Sequence, residues 1–146
     1  MFELPAIPDG CNVLFDLDRT LAHYEEWEGP ERVGSPIPRM VELAKRYLEA
    51  KVEVRIFTAR CFPLKTIWAI EPDDLLDTMH KLAEDDEPTR KALASVKAIR
   101  SWCREHLGQV LTITCVKDPR TFRIYDDLAV GVQPNTGELS IARELA

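Results

Sequence analysis

Four short apolar runs, separated by longer stretches of mixed character, constrain the fold of this chain more than any other feature. The runs cover residues 11–15, 52–57, 110–116 and 122–125. Each has the length and the aliphatic and aromatic content of a buried strand. Residues 38–48 and 88–107 place apolar side chains at helical spacing. Strands that alternate with helices predict an α/β fold with a central parallel sheet covered on both faces.

The segments between these elements leave little room for a second domain. Residues 22–36 form a predicted loop, residues 61–72 an irregular stretch, residues 75–83 a short amphipathic helix, and residues 134–137 the turn of a small hairpin. We therefore expect one domain over residues 1–146, with a three-layer, Rossmann-like arrangement. The short insertions predict a capless or minimally capped site that is open to solvent.

Composition excludes several classes of protein. The chain has 146 residues, 45% of them hydrophobic, and a formal net charge of −6. An acidic chain repels nucleic-acid backbones unless a basic patch intervenes. The four cysteines include no Cys-x-x-Cys pair, which favours reduced thiols over a disulfide frame or a zinc site. Without a secretory leader or an apolar run of about 18 residues, we expect a cytoplasmic protein that does not enter membranes.

Polar side chains follow each predicted strand, and parallel sheets bind ligands at the carboxyl ends of their strands. The residues in these positions are Asp16, Asp18, Thr58, Arg60, Lys117, Asp126 and Asp127. Several carboxylates at one place repel each other unless a cation neutralises them. Oxygen ligands of this kind favour Mg²⁺. The sequence therefore predicts a magnesium site at this edge of the sheet.

The remaining polar groups of this set suit a phosphate. Thr58 offers a hydroxyl donor and Lys117 a positive charge, while a carboxylate not consumed by the metal can attack phosphorus. Asp16 and Asp18 are two residues apart, so both side chains leave the strand end on the same side of the pleat. One can attack while the other protonates the leaving oxygen, which contributes about 10²–10⁴-fold to the rate.

These residues resemble the four motifs of the haloacid-dehalogenase-like (HAD) phosphatases. The first motif is similar to residues 15–21 (Phe-Asp-Leu-Asp-Arg-Thr-Leu), the second to 56–58, the third to Lys117 and the fourth to 124–127, in the family's order. The resemblance implies that Asp16 is the nucleophile and Asp18 the general acid and base, with Thr58 and Lys117 holding the phosphoryl group. It also implies Mg²⁺ bound by Asp16, by the backbone carbonyl of Asp18, and by Asp126 and Asp127. Of this last pair, Asp127 is the one expected to contact the metal directly.

Within that family, the chain looks most like the 3′-phosphatase domain of bacteriophage polynucleotide kinase and similar small phage proteins. The shared features are residues 20–22, 29–30 and 37–43, together with Arg60 two positions after the second-motif hydroxyl. The resemblance implies 3′-phosphorylated nucleotides or nucleic-acid ends as substrates, contacted by Thr20, Arg60 and Arg32. Two departures are Arg19 in place of the family's usual glycine and the lack of a loop arginine near Trp27.

Other functions stay open at this level. A small-metabolite or phosphoprotein phosphatase would use the same chemistry, and a phosphate-binding regulatory module would keep the site without turnover. Receiver domains also combine acids, a Thr and a Lys on a parallel sheet, but there the paired acids come first, whereas here they come last. A P-loop NTPase lacks support because there is no Gly-x-x-x-x-Gly-Lys motif. The aromatic residues of the first loop, His23, Tyr24 and Trp27, are expected to pack that loop down, and the alternative is that they form an aromatic lip for a base. Arg60 could equally pair with a nearby acid.

Overall fold

A computed structural model describes residues 3–64, 69–76 and 86–140, and its elements alternate between strands and helices. In chain order they are β1 (Asn12–Asp16), α1 (Pro38–Glu49), β2 (Glu53–Phe57), a 3₁₀ helix (Ala59–Leu64), β3 (Ala69–Ile70), α2 (Glu87–Leu107), β4 (Thr112–Thr114) and β5 (Thr121–Tyr125). The order confirms an α/β fold. The predicted helix over 75–83 lies mostly outside the described residues.

The five described strands form one sheet in the order β3-β4-β2-β1-β5. β1 lies between β2 and β5, and both pairings are parallel, as is that of β2 with β4. β3 pairs antiparallel with β4 at the edge of the sheet. The expectation of irregular structure throughout 61–72 was wrong here, because Ala69 and Ile70 complete the edge of the sheet and the residues after Thr58 form a 3₁₀ turn. A run of two strand residues is too short to show a period in the sequence.

Alternate residues of the central strands form one apolar face. Val13 and Phe15 pair in register with Val54 and Ile56, and Ile56 pairs with Ile113. All five side chains are buried in a single hydrophobic cluster. β2 shows the period-two burial of a strand that buries one face, whereas β1 is buried on both faces over most of its length, as is β4.

Both described helices cover that same face. α1 begins at Pro38, whose fixed φ suits the first turn, and buries Val41, Ala44 and Tyr47. α2 ends at Gly108, which takes the left-handed conformation with φ of 82°. The two helices contact each other as well as the sheet. Because β1, β2 and β4 follow one another in the same direction across the sheet, right-handed crossovers place their connecting helices on one side.

The opposite face is crossed by an extended segment and not by a described helix. The chain must return from β4 past two strands to reach β5, and it does so with residues 115–120. Asp118 of this segment accepts a hydrogen bond from Asn12 at 3.2 Å and forms an ion pair with Arg55 at 3.4 Å. The expected layer of helices on both faces is therefore not formed by the part of the chain that the structure describes.

The predicted strand boundaries agree with the structure to within two residues. β4 differs most, because it pairs over Thr112–Thr114 and is two residues shorter at each end than the apolar run 110–116. The predicted terminal turn is present, with Val132 bridging Leu139 across it. None of the helices in the described ranges combines the length and the apolar character needed to span a membrane.

Candidate active site at the carboxyl ends of the strands

Three carboxylates meet where β1 and β5 end side by side. Asp16 is the last residue of β1, and Asp126 and Asp127 follow directly after β5. One carboxylate oxygen from each residue lies within 4.8 Å of the other two. Asp126 is half-buried and accepts a hydrogen bond from the backbone N–H of Leu128 at 2.8 Å, which fixes its direction, whereas Asp127 is exposed. The strand-end argument thus placed these three residues together correctly.

The environment of Asp16 makes its negative charge costly. Burial, the neighbouring Asp127 and the charge of Asp126 together raise the pKa of Asp16 to about 7, while the hydrogen bond from Thr20 opposes them. Mutual repulsion of neighbouring carboxylates is one of the ordinary causes of such a shift. The site as it stands holds more negative charge than it can neutralise with its own residues.

Thr20 orients the carboxylate of Asp16. Its hydroxyl donates to Oδ2 of Asp16 at 3.1 Å, and its side chain is buried. The backbone N–H groups of Thr20, Leu21 and Ala22 all point at the carbonyl of Leu17, so a tight turn follows β1. The structure therefore shows Thr20 bound to the predicted nucleophile, and its predicted contact with substrate stays a prediction.

Asp18 is held by an arginine from the neighbouring strand end. Nε and Nη2 of Arg60 donate to the two carboxylate oxygens of Asp18, each at 2.8 Å. A fork of this kind fixes both the position and the orientation of a carboxylate. The side chain of Asp18 thus turns towards Arg60 and does not belong to the cluster of Asp16, Asp126 and Asp127, and the expected contact of its backbone carbonyl with a metal stays a prediction.

Arg60 is itself enclosed by the first loop. Its side chain is only 6% exposed, its guanidinium lies 5.1 Å from the ring centre of Trp27, and Nη1 reaches the carbonyl of Pro30 at 3.4 Å. Ser95 of α2 donates to the same carbonyl at 2.7 Å. This arrangement was not predicted from the sequence, although Arg60 was. Its predicted role in binding substrate stays a prediction, because in the structure the guanidinium is occupied by Asp18.

Trp27 did not follow the expectation that the aromatic residues of the loop pack inward. Its side chain is 53% exposed, although one face lies against Arg60. It occupies the stretch where the resemblance leads one to expect an arginine. The ring covers the guanidinium of Arg60 and screens the ion pair with Asp18 from water on that side.

Thr58 follows β2 directly and is buried at the same edge of the sheet as the acidic cluster. Its backbone N–H donates to the carbonyl of Thr114 at 2.9 Å, which extends the pairing of β2 with β4 by one residue. Its hydroxyl accepts the backbone N–H of Arg60 at 3.2 Å. The oxygen is thus held in place while its own hydrogen can still be donated, as a phosphate-binding hydroxyl requires.

Lys117 stands apart from this group. It is exposed and lies on the extended segment between β4 and β5, immediately before Asp118, which binds Asn12 at the opposite end of β1. Within the described ranges it forms no ion pair, and no contact links it to the carboxylates. The expectation that Lys117 approaches the phosphoryl group therefore stays a prediction.

Arg19 adopts a backbone conformation that favours glycine, the residue of the motif that this stretch resembles. Its φ is 74°, in the left-handed region that glycine adopts without strain. An L-residue pays about 1 kcal/mol for this conformation. The guanidinium lies 5.5 Å from the ring centre of Tyr24, and this cation–π contact offsets part of that cost. The substitution thus keeps the backbone turn and adds a cation at its surface.

A cleft of about 280 Å³ opens beside Arg60 and is bounded by the first loop. Arg32, expected to contact substrate, lies on this cleft with its side chain 68% exposed and 3.5 Å from Glu28. Carboxylates outnumber cations on the walls. The lining residues are His23, Tyr24, Glu25, Glu26, Glu28, Arg32, Gly34, Ser35 and Arg60.

Comparison with known proteins adds no relative at this point. The chain matches no protein-family model, no curated protein and no solved structure. What the fold and the site define together is an α/β domain with a mostly parallel five-stranded sheet and a cluster of acids at the strand ends.

Proposed function

We propose that this protein is a Mg²⁺-dependent phosphomonoester hydrolase that works through an aspartyl-phosphate on Asp16. The observation that carries the proposal is the cluster of Asp16, Asp126 and Asp127, with oxygens within 4.8 Å of one another. Burial and repulsion raise the pKa of Asp16 to about 7. A strained acidic cluster at the carboxyl ends of parallel strands is the arrangement expected of a site that binds a cation and an anionic substrate together.

The donor set fits magnesium. Three carboxylates supply hard oxygen ligands, and Mg²⁺ prefers a few carboxylates with water or phosphate completing its shell. Asp16, Asp126 and Asp127 each offer one oxygen within 4.8 Å of the other two, and Asp126 is directed by the N–H of Leu128. When bound, the cation neutralises the cluster and polarises the phosphoryl oxygens.

The residues of the chain then have distinct tasks. Asp16 attacks phosphorus with the oxygen that Thr20 does not occupy, since the hydroxyl of Thr20 binds Oδ2. Asp18, once it has taken up a proton from solvent, gives that proton to the leaving oxygen, and as a carboxylate it later takes one from the water that hydrolyses the aspartyl-phosphate. Arg60 fills both carboxylate oxygens of Asp18, so proton transfer requires one of these hydrogen bonds to be exchanged for a bond to substrate or water.

The substrate proposed is a phosphate on a nucleotide or at the 3′ end of a nucleic acid. The acidic walls of the cleft and the net charge of −6 oppose an extended polyanion, so contact is limited to the terminal nucleotide. Few neutralised phosphates give a shallow dependence of affinity on salt. Small phosphorylated metabolites and phosphoproteins are the alternatives, and they leave the proposed chemistry unchanged.

The chemistry is tested by hydrolysis of an aryl phosphate with and without Mg²⁺. Turnover is expected only with the cation, and Asp16→Asn is expected to lose essentially all of it because an amide does not attack phosphorus. Asp9→Asn serves as the matched control, since Asp9 is exposed in the turn that precedes β1, at the other end of that strand. The proposal is contradicted if turnover is undiminished after chelation, or if Asp16→Asn keeps more than a few per cent of the activity. A complete lack of turnover in the wild-type protein favours the regulatory module.

The substrate is tested separately by kcat/KM. The panel contains 3′-phosphorylated nucleosides and short oligonucleotides, their 5′-phosphorylated counterparts, sugar phosphates and phosphoamino acids. We expect the highest value for the 3′-phosphates. A clear preference for sugar phosphates or phosphoamino acids moves the protein to metabolite or protein dephosphorylation.

A further inference from the structure

Two of the four cysteines meet next to the candidate active site. Cys61 lies on the 3₁₀ helix directly after Arg60, and Cys115 follows β4. The thiol of Cys61 donates to the carbonyl of Thr58 at 3.3 Å, and the N–H of Thr58 donates to the carbonyl of Thr114, the residue before Cys115, at 2.9 Å. These two hydrogen bonds place Cys61 and Cys115 beside the same residue, Thr58, where β2 and β4 end. Cys61 belongs to the core cluster, and Cys115 packs against it.

The two cysteines are close enough for one to influence the ionisation of the other. Burial and the neighbouring Cys115 together raise the pKa of Cys61 to about 12. Cys61 is only 3% exposed, whereas Cys115 is partly exposed. A buried thiol against a reachable one is the arrangement of a resolving cysteine beside a reactive cysteine.

We propose that Cys61 and Cys115 form a reversible disulfide on exposure to hydrogen peroxide, and that this bond lowers turnover at the adjacent site. The formation of the disulfide is independent of the proposed function, and only its effect on turnover rests on that function. Cys115 is the thiol that peroxide reaches, and Cys61 is the thiol that resolves the oxidised product.

The chemistry balances in two steps. The sulfur of Cys115 attacks one peroxide oxygen, the O–O bond breaks, and Cys115 becomes a sulfenic acid as one water is released. The sulfur of Cys61 then attacks the sulfur of Cys115, the S–O bond breaks, and the departing hydroxide takes the thiol proton of Cys61 as a second water. Two thiols and one hydrogen peroxide thus give one disulfide and two waters.

The disulfide acts on the site through Arg60. Oxidation removes the thiol hydrogen that the carbonyl of Thr58 accepts, and it ties the turn that carries Arg60 to the end of β4. Arg60 holds both oxygens of Asp18 at 2.8 Å. Because a displacement of about 1 Å in a positioning group costs up to about 10²-fold in rate, we expect a loss of this order on oxidation.

The experiment treats the intact protein with hydrogen peroxide and maps its cysteines by mass spectrometry, with and without dimedone to trap sulfenic acids. Wild-type protein is expected to give peptides that join Cys61 to Cys115, with little labelling of Cys115 by dimedone. Cys61→Ala is expected to give dimedone-labelled Cys115, because no resolving thiol remains. Cys115→Ser is expected to leave Cys61 unmodified, and Cys103→Ser, which removes a buried thiol elsewhere, to behave as wild type.

Activity is followed in the same samples with an aryl phosphate. We expect oxidation to lower kcat in the wild-type protein, a thiol reductant to restore it, and both Cys61→Ala and Cys115→Ser to lack the reversible loss. The proposal is overturned by any of three results. These are disulfides that join other cysteines, equal dimedone labelling of Cys115 in wild type and Cys61→Ala, and modification of Cys61 in Cys115→Ser. If the wild-type protein hydrolyses no phosphate, the proposed function fails while the mapping still decides whether the disulfide forms.

Discussion

Replacing Asp16 by Asn is expected to stabilise the metal-free protein while abolishing its turnover. The carboxyl of Asp16 is held against Asp126 and Asp127, and its pKa rises from 3.8 to about 7 on folding. A group that binds its proton more tightly in the folded state stabilises the fold at low pH and loses this contribution as the pH rises through the folded-state pKa. The stability of the metal-free wild-type protein therefore falls between about pH 4 and pH 7 through this residue.

The size of the effect follows from the shift. Without screening by solvent, a rise of the Asp16 pKa from 3.8 to about 7 is equivalent to about 4 kcal/mol in the free energy of unfolding. Asp16 is partly exposed, so solvent screening reduces this figure, and we expect about 1–2 kcal/mol. An amide keeps an oxygen for the hydroxyl of Thr20 and gains an N–H that can donate to Asp127, so little is lost elsewhere.

The assay is urea unfolding of wild type and Asp16→Asn at pH 8 and pH 4.5, with chelator and with Mg²⁺. The gain for Asp16→Asn is expected at pH 8 with chelator. It is expected to shrink to roughly half to two thirds at pH 4.5, where part of the charge is already neutralised in the folded protein, and to disappear when Mg²⁺ neutralises the cluster. Asp118→Asn is the control of opposite sign, because hydrogen bonds from the Arg120 backbone and Asn12 and the charge of Arg55 lower the pKa of Asp118. A less stable Asp16→Asn at pH 8 with chelator, or an equal gain at both pH values, refutes the reasoning.

Three further substitutions test the rest of the site. Lys117→Ala is expected to lower kcat by about 10²–10³-fold if the lysine approaches the phosphoryl group during turnover, and an unchanged kcat removes it from the mechanism. Arg60→Lys keeps the charge but loses the two-pronged contact that holds Asp18, so kcat is expected to fall by up to about 10²-fold. KM should change little and the pH profile of kcat should shift, whereas an unaltered pH profile shows that Arg60 is merely structural. Gly34→Ala is expected to cost about 1–3 kcal/mol in thermal or urea unfolding, since its Cβ would overlap the carbonyl of His23, and full stability means that the loop packs differently.

The acidic cluster could be predicted from the sequence because it depends on local patterns and one general rule. Apolar runs mark β1, β2 and β5, and parallel strands bring their carboxyl ends to one edge. Asp16, Asp126 and Asp127 follow those runs directly, so no knowledge of the loops was needed to place them together. The same reasoning was weaker for Lys117, which comes three residues after β4 ends at Thr114.

The partners of Asp18 could not be predicted in this way. The ion pair with Arg60 depends on the path of the first loop, where Gly34 lets the chain pass close to His23 and its carbonyl accepts the indole N–H of Trp102 at 2.8 Å. Contacts between residues so far apart in the chain leave no periodic signal. The single layer of described helices was missed for a related reason, because strand order, not strand content, decides on which face a crossover lies.

The short return from β4 to β5 links the architecture of this chain to its chemistry. An extended segment of six residues spans about 20 Å at most, which is enough to cross the face of the sheet but leaves no slack. Asp118 anchors this segment through Asn12 and Arg55 at the end of the sheet away from the acidic cluster. Lys117 can therefore approach a phosphoryl group only by extending its own flexible side chain along the sheet, not by movement of its backbone. A lysine placed in this way acts on the substrate only when one is bound. The effect of Lys117→Ala on kcat therefore decides between two roles for Lys117: electrostatic stabilisation of the phosphoryl group, or an exposed position on a connection that is only structural.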